Sequence, residues 1–171
     1  CAATVRAMYT GERAVPHAFL GVTIAQGTAA YQFLAAQVAA KRVLDVACGD
    51  GYGTFALAEQ AREVIGIDRD PLIIQRAAER YHRPNLTFRC VDAGALLRTF
   101  GPGAFDIVCS LQFVEHLEDQ EGFLRLLARL CRPGGLVAVS TPNRRVFPSY
   151  NPYHVREFDY PELHALCASV F

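Results

Sequence analysis

The chain lacks an excess of either charge. Lysine plus arginine and aspartate plus glutamate each total 17 among 171 residues, for a formal net charge of zero. A domain that binds by neutralising phosphates carries a basic surplus, so the balance argues against a nucleic-acid partner. Lysine itself is nearly absent, since Lys41 is the one lysine among those basic residues. No apolar run reaches the roughly 18–20 residues of a membrane span, which argues against a membrane role. The six cysteines never fall at metal-ligand or Cys-x-x-Cys spacing. Cys90 and Cys109 sit inside apolar runs, as small buried hydrophobes do. Neither a metal site nor a disulfide framework is expected, which favours a reducing compartment, the cytoplasm by default. The opening residues carry no signal-peptide pattern. There are no internal repeats and no low-complexity stretches.

What is present is an ordinary globular composition, 51% hydrophobic and 20% charged. A chain of this length fits one domain and buries roughly 70% of its unfolded surface, enough to fold without covalent staples. Short β-branched runs alternate with helical patterns, the signature of a parallel α/β sheet. Residues 42–47, 64–68, 86–92, 105–110 and 136–141 read as five strands. Gly27-Thr28 opens a helical segment to about Ala40, with Tyr31, Leu34, Ala35 and Val38 on one face. Asp70 caps the helix that Pro71 begins, and Asp119 to Cys131 is helical with Phe123, Leu126, Leu127 and Leu130 on one stripe. Pro133-Gly134-Gly135 separates that helix from strand five, and Asp159 with Glu162 makes a capping box for a last helix.

In an open α/β sheet, ligands bind outside the carboxyl ends of the strands, at the switch point beside strand one. The glycine loop Cys48-Gly49-Asp50-Gly51-Tyr52-Gly53 falls there. Its glycines allow close backbone approach, and a helix N-terminus follows. Asp68 ends strand two, where an acidic residue accepts both hydroxyls of an adenosine ribose. Asp92 ends strand three, where it receives an adenine amino group. Taken singly these are a tight turn, a helix cap and a turn former. Together, on successive strand ends, they make a nucleoside site. A dinucleotide fingerprint requires Gly-x-Gly-x-x-Gly, but from Gly49 that register gives Gly51 and then Thr54, with Gly53 one place early.

These pieces together resemble the class I S-adenosylmethionine-dependent methyltransferases. The matching segments are residues 43–53 around the glycine loop, Val64 to Asp68, Asp92-Ala93, residues 105–117 ending in Glu115-His116-Leu117, and residues 130–136 running into Ser140-Thr141-Pro142-Asn143. The resemblance covers about residues 9–171 and is closest to the small-molecule branch of the family. It implies a Rossmann-like, doubly wound and mostly parallel sheet. Residues 1–26 correspond to an N-terminal lid and 27–171 to the cofactor-binding domain. Against the family's layout the domain is expected to be incomplete at its C-terminus, since no segment here corresponds to the antiparallel hairpin of strands six and seven.

The resemblance implies S-adenosylmethionine as cofactor and S-adenosylhomocysteine as product. Gly49 and Gly51, with Ala47, line the methionine moiety, and Asp45 supports their loop and reaches the cofactor's amino group. Asp68 takes the ribose hydroxyls with Arg69 beside the adenine, Asp92 and Ala93 hold the adenine edge, and Ser110, Leu111 and Gln112 close over the methionine end. In the lid, Tyr9, Glu12 and Arg13 touch cofactor or acceptor. Asn143 and Tyr153 belong to the acceptor side.

The expected reaction moves a methyl group by in-line displacement to a small-molecule acceptor, with a hydroxyl oxygen favoured. Two histidines are placed to act as its base: His116 after strand four and His154 after strand five. Each also has a packing reading, as do His17, His82 and His164. No carboxylate cluster suited to magnesium surrounds strand four, so no metal is expected. Two other readings stand beside this one. One is a dehydrogenase binding NAD through the same loop and Asp68. The other is a non-catalytic module of the same fold that pairs with a partner or a second copy as a homodimer, its uncovered sheet edge offering the surface.

Overall fold

The computed structural model describes residues 21–146 and 151–171, with side chains from residue 28 onward. Tyr9, Glu12 and Arg13 lie outside the described residues. Five strands, β1 (Arg42–Val46), β2 (Glu63–Asp68), β3 (Leu86–Cys90), β4 (Phe105–Leu111) and β5 (Cys131–Ser140), form one sheet. Its order is β3-β2-β1-β4-β5, and every neighbouring pair is parallel. The chain winds outward from β1 to β3, then returns to the other side of β1 with β4, so the switch point lies between β1 and β4. Among the described residues no antiparallel strand joins this sheet. Among the described residues six α-helices accompany it: α1 (Gly21–Ala35), α2 (Tyr52–Leu57), α3 (Pro71–Arg80), α4 (Leu96–Phe100), α5 (Gln120–Leu130) and α6 (Tyr160–Ala168).

A sheet covered on both faces needs apolar residues on both, which is why the strands read as continuous apolar runs. Period-two alternation then sorts them. Val43, Val64, Ile107 and Cys109 pack with Tyr31 and Leu34 of α1 and Leu57 of α2. Leu44, Val46, Ile65, Ile67 and Val108 pack with Leu96 of α4 and with Leu124, Leu127 and Leu130 of α5. The caps form as their residue types require. Asp70 accepts from Leu72 N at 3.0 Å with Pro71 at the first turn, Asp119 accepts from Gly122 N at 2.8 Å, and Asp159 and Glu162 make both bonds of a capping box. No helix among the described residues is long and apolar enough to cross a membrane.

Two boundaries differ from the sequence expectation. Helix α1 already runs at Gly21, so Gly27-Thr28 lies inside it, and it stops at Ala35. Val38 is fully buried although it follows the helix, in a turn that ends at Ala40 with φ of 59°. Strand β5 starts directly at Cys131, which pairs with Phe105. The register then shifts, so that Ile107 pairs with Leu136. Arg132 to Gly135 are absorbed as an irregularity in the strand, because proline cannot donate to the ladder and a Cβ on Gly135 would meet the Asp106 carbonyl oxygen at 2.6 Å.

Candidate active site

A cavity of about 230 Å³ opens outside the carboxyl ends of the strands. Val46, Ala47 and Gly49 line it from the end of β1, Ile67, Asp68 and Arg69 from β2, and Val91, Asp92 and Ala93 from the segment after β3. Gln112, Phe113, His116 and Leu117 close it from the segment after β4. Two of its non-glycine lining residues, Ala47 and Gln112, have φ of 61° and 58°. Such left-handed backbone costs on the order of 1–3 kcal/mol and concentrates where a site is shaped. Gly49 has φ of 54°, and no atom lies within 4 Å of the position a Cβ would occupy there, so a side chain would project into open space at the cavity wall. Asp68 is buried and organises this loop. Its Oδ2 accepts from Gly49 N at 3.2 Å and its Oδ1 from Asp70 N at 3.0 Å. Asp92 is exposed and accepts from Gly94 N at 2.8 Å, which fixes the turn carrying Ala93. Gln112 donates through Nε2 to Ser140 Oγ at 3.0 Å, tying the end of β4 to that of β5.

Asp45 sits one layer below. Strand parity puts it on the α1 and α2 face, fully buried. Its Oδ2 accepts from Tyr31 at 3.0 Å and from Thr54 at 2.7 Å, and its Oδ1 accepts from the Cys109 thiol at 3.5 Å. Burial pushes its carboxyl up to about 6, against the lowering effect of these hydrogen bonds. Asp45 thus ties β1 to α1, α2 and β4 and is not among the residues that line the cavity. Gly53 explains itself in the same place. A Cβ there would lie 2.0–2.3 Å from the Tyr31 ring, so the early glycine admits a tyrosine.

At the opposite wall, the turn Val114–His116 after β4 meets the segment after β5. The Glu115 carbonyl accepts from Val155 N and Arg156 N at 2.8 and 3.2 Å, clamping the two segments together. His116 Nδ1 donates to the Tyr153 carbonyl at 2.9 Å, which leaves Nε2 as the nitrogen with a lone pair. The His154 ring stands at 74° to the His116 ring, with centroids 4.9 Å apart. Asn151 Oδ1 accepts from Tyr153 N, so its Nδ2 is the donor toward His154 Nε2 at 2.9 Å. His154 Nδ1 then donates to Glu157 Oε1 at 2.8 Å. Glu115 is 1% exposed, and burial raises its carboxyl pKa above the usual range. Its Oε1 lies 4.0 Å from His116 Nε2. Glu115 Oε2, Ser110 Oγ and Thr141 Oγ1 are all buried with no hydrogen-bond partner. The Thr141 hydroxyl lies near enough to favour the ionised carboxylate without meeting hydrogen-bond geometry. Orphaned polar atoms of this kind are uncommon in folded proteins, and the Glu115 carboxyl and Thr141 hydroxyl lie close together beyond β4 and β5.

Of the residues singled out from the sequence, Ala47, Gly49, Asp68, Arg69, Asp92, Ala93, Gln112 and His116 line one cavity. His154 stands behind His116, and Tyr153 supplies the carbonyl that orients it. Gly51 is the buried N-cap of α2, with φ of 81°, and Ser110 and Leu111 are buried in β4. Asn143 turns the chain after β5, its Oδ1 accepting from Arg145 N. Glu115, Asn151 and Glu157, which meet the two histidines here, are not singled out by the sequence. The signals available were local: Glu115 adjoins His116, and Asn151 and Glu157 flank His154 three residues away on either side.

With the geometry in place, the class is decided by comparison. The methyltransferase domain family matches residues 44–139, and the chain belongs to that family. A protein of Mycolicibacterium smegmatis named a probable S-adenosylmethionine-dependent methyltransferase is 38% identical over 161 residues, 90% of this chain and 61% of that protein. A ubiquinone biosynthesis O-methyltransferase of Pseudomonas aeruginosa is 36% identical over 111 residues, 64% of this chain and 47% of its own length. The chain thus spans about three-fifths or less of these relatives. Among solved structures, the methyltransferase in complex with the Haloferax volcanii Trm112 activator superposes with a TM-score of 0.73 at 19% identity, covering 88% of this chain and 70% of that one, a likeness of fold.

Proposed function

We propose that the protein is an S-adenosylmethionine-dependent methyltransferase whose acceptor is a small molecule and whose target atom is a hydroxyl oxygen. The observation that carries this reading is a single cavity with Asp68 and Asp92 at one end and His116 at the other. The residues fit the cofactor: a glycine with open space at its Cβ position, a buried carboxylate at the end of β2, and an exposed one after β3. When bound, S-adenosylmethionine supplies a methyl group already activated on a sulfonium.

Asp68 accepts the ribose hydroxyls, Arg69 stands beside the adenine, and Asp92 with Ala93 holds the adenine edge. Ala47 and Gly49 lie along the methionine end, with Asp45, Gly51, Ser110 and Leu111 supporting them from beneath and Gln112 closing over it. Tyr9, Glu12, Arg13, Asn143 and Tyr153 contribute to the lid and acceptor side. The chain's principal task is then orientation, holding acceptor oxygen and methyl in line, which contributes about 7–11 kcal/mol in well-aligned systems. His116 and His154 deal with the acceptor's proton, and His116 carries its lone pair on Nε2. Proton removal of this kind is worth roughly 10²–10⁴-fold. The 36% identical Pseudomonas aeruginosa protein is named an O-methyltransferase, and that name supports the choice of oxygen here.

The test is transfer of a labelled methyl group to a panel of small hydroxyl-bearing and amine-bearing acceptors. Label on hydroxyl oxygen is expected, as an ether stable to acid and base. Label on amines alone would overturn the choice of atom.

A further inference from the structure

We infer that Glu115, His116 and His154 form a binding site for a divalent transition-metal cation of the zinc type, with His116 at the wall of the cavity and the other two behind it. One ligand atom from each residue lies within 4.8 Å of the others. Ligands arranged around a cation at about 2.1 Å stand roughly 3.4 Å apart. Closure by about an ångström completes the set, and Glu115 Oε1 already stands 4.0 Å from His116 Nε2.

Three independent features point to a cation. First, both histidines hold their Nδ1–H on oxygen, His116 on the Tyr153 carbonyl and His154 on the Glu157 carboxylate. That is the outer arrangement by which metal-ligating histidines are oriented and made more basic, with Nε2 directed at the ion. Secondly, Glu115 is 1% exposed with Oε2 unpartnered, and no arginine or lysine is paired with it among the described residues. A buried carboxylate is otherwise paired or neutralised. Thirdly, the two histidines come from segments that the Glu115 carbonyl clamps together through Val155 and Arg156, so the set is held by backbone. The Asn151 amide occupies His154 Nε2 at 2.9 Å and is the group a cation displaces. Two imidazoles and one carboxylate leave coordination positions open, as in catalytic sites.

The inference rests on the hydroxyl-acceptor reading and changes the role of His116 from base to ligand. The acceptor oxygen occupies an open position on the cation, which lowers the pKa of its hydroxyl, and the proton leaves to solvent water. The oxygen–methyl bond forms as the sulfur–methyl bond breaks, and the sulfonium becomes a thioether.

The experiment is titration of chelator-stripped protein with cobalt(II), followed by its d–d absorption and by calorimetry. It is run on the wild type, Glu115→Gln, His154→Ala and, as a control away from the cluster, His164→Ala. Circular dichroism and S-adenosylhomocysteine binding check that each variant is folded. The wild type and His164→Ala are expected to bind one cation with a tetrahedral or five-coordinate band, and the other two to bind it at least tenfold more weakly. No band in the wild type, or equal affinity in all four, would overturn the site. Cobalt binding as expected together with methyl label only on amines would leave the site standing and remove the hydroxyl reading.

Discussion

Tyr31 reaches past Gly53 to donate its hydroxyl to Asp45 Oδ2 at 3.0 Å, joining α1 to the strand that ends in the cofactor loop. This contact exists because position 53 has no side chain. Gly53→Ala places a methyl group inside the Tyr31 ring and is expected to cost about 1–3 kcal/mol, the range for overpacking a filled core. Tyr31→Ala in the same chain removes the clash, so the two substitutions are expected to be strongly non-additive in urea unfolding. Additive losses would show that the ring does not rest on Gly53.

Asp45 makes stability depend on pH in an unusual direction for a carboxylate. Its folded pKa is raised from 3.8 to about 6, so the folded state holds the proton more tightly than the unfolded chain. The group's contribution is full below about pH 4, falls as pH rises, and is lost above about pH 6. The difference is on the order of 3 kcal/mol at 1.36 kcal/mol per pH unit. Asp45→Asn is expected to flatten this component. Unfolding free energies measured at pH 4.5 and pH 7 are therefore predicted to show the variant gaining relative to wild type at the higher pH. Parallel profiles would contradict the assignment.

Asp68 holds Gly49 N, and under the proposed function it also accepts the ribose hydroxyls, so its loss is expected to act twice. Hydrogen bonds to a charged group are worth about 1.5–3 kcal/mol. Asp68→Ala is predicted to weaken S-adenosylhomocysteine binding by at least tenfold in calorimetry, with unfolding still cooperative. Unchanged affinity would remove Asp68 from the site.

His116 lines the cavity, whereas His154 stands behind it. His116→Gln is expected to lower kcat by roughly 10²–10⁴-fold while changing the KM for S-adenosylmethionine little. A change confined to KM would make His116 a binding residue.

Much of this site was legible because it lies on strand ends. Gly49, Asp68 and Asp92 lie at or just past the carboxyl ends of consecutive parallel strands, and the alternation of strand with crossover helix brings all three to one end of the sheet. Period-two alternation places Asp45 with Val43, facing α1 and α2. Its carboxylate accepts from Tyr31, Thr54 and Cys109. The acceptor wall was less legible. His116 and His154 lie on segments without periodicity, and they meet because β4 and β5 pair in parallel and backbone bonds to the Glu115 carbonyl close the gap. Glu115 carries no signal in sequence beyond its neighbour, since its importance lies in burial. The Pro-Gly-Gly element misled for a related reason. It breaks a helix in any context, but pairing with β4 draws it into β5.

The most direct test of the account is calorimetric titration of this chain with S-adenosylhomocysteine, with NADH titrated in parallel. The account predicts saturable, stoichiometric binding of S-adenosylhomocysteine in the micromolar range and none of NADH. Binding of NADH alone by a cooperatively folded chain would contradict it.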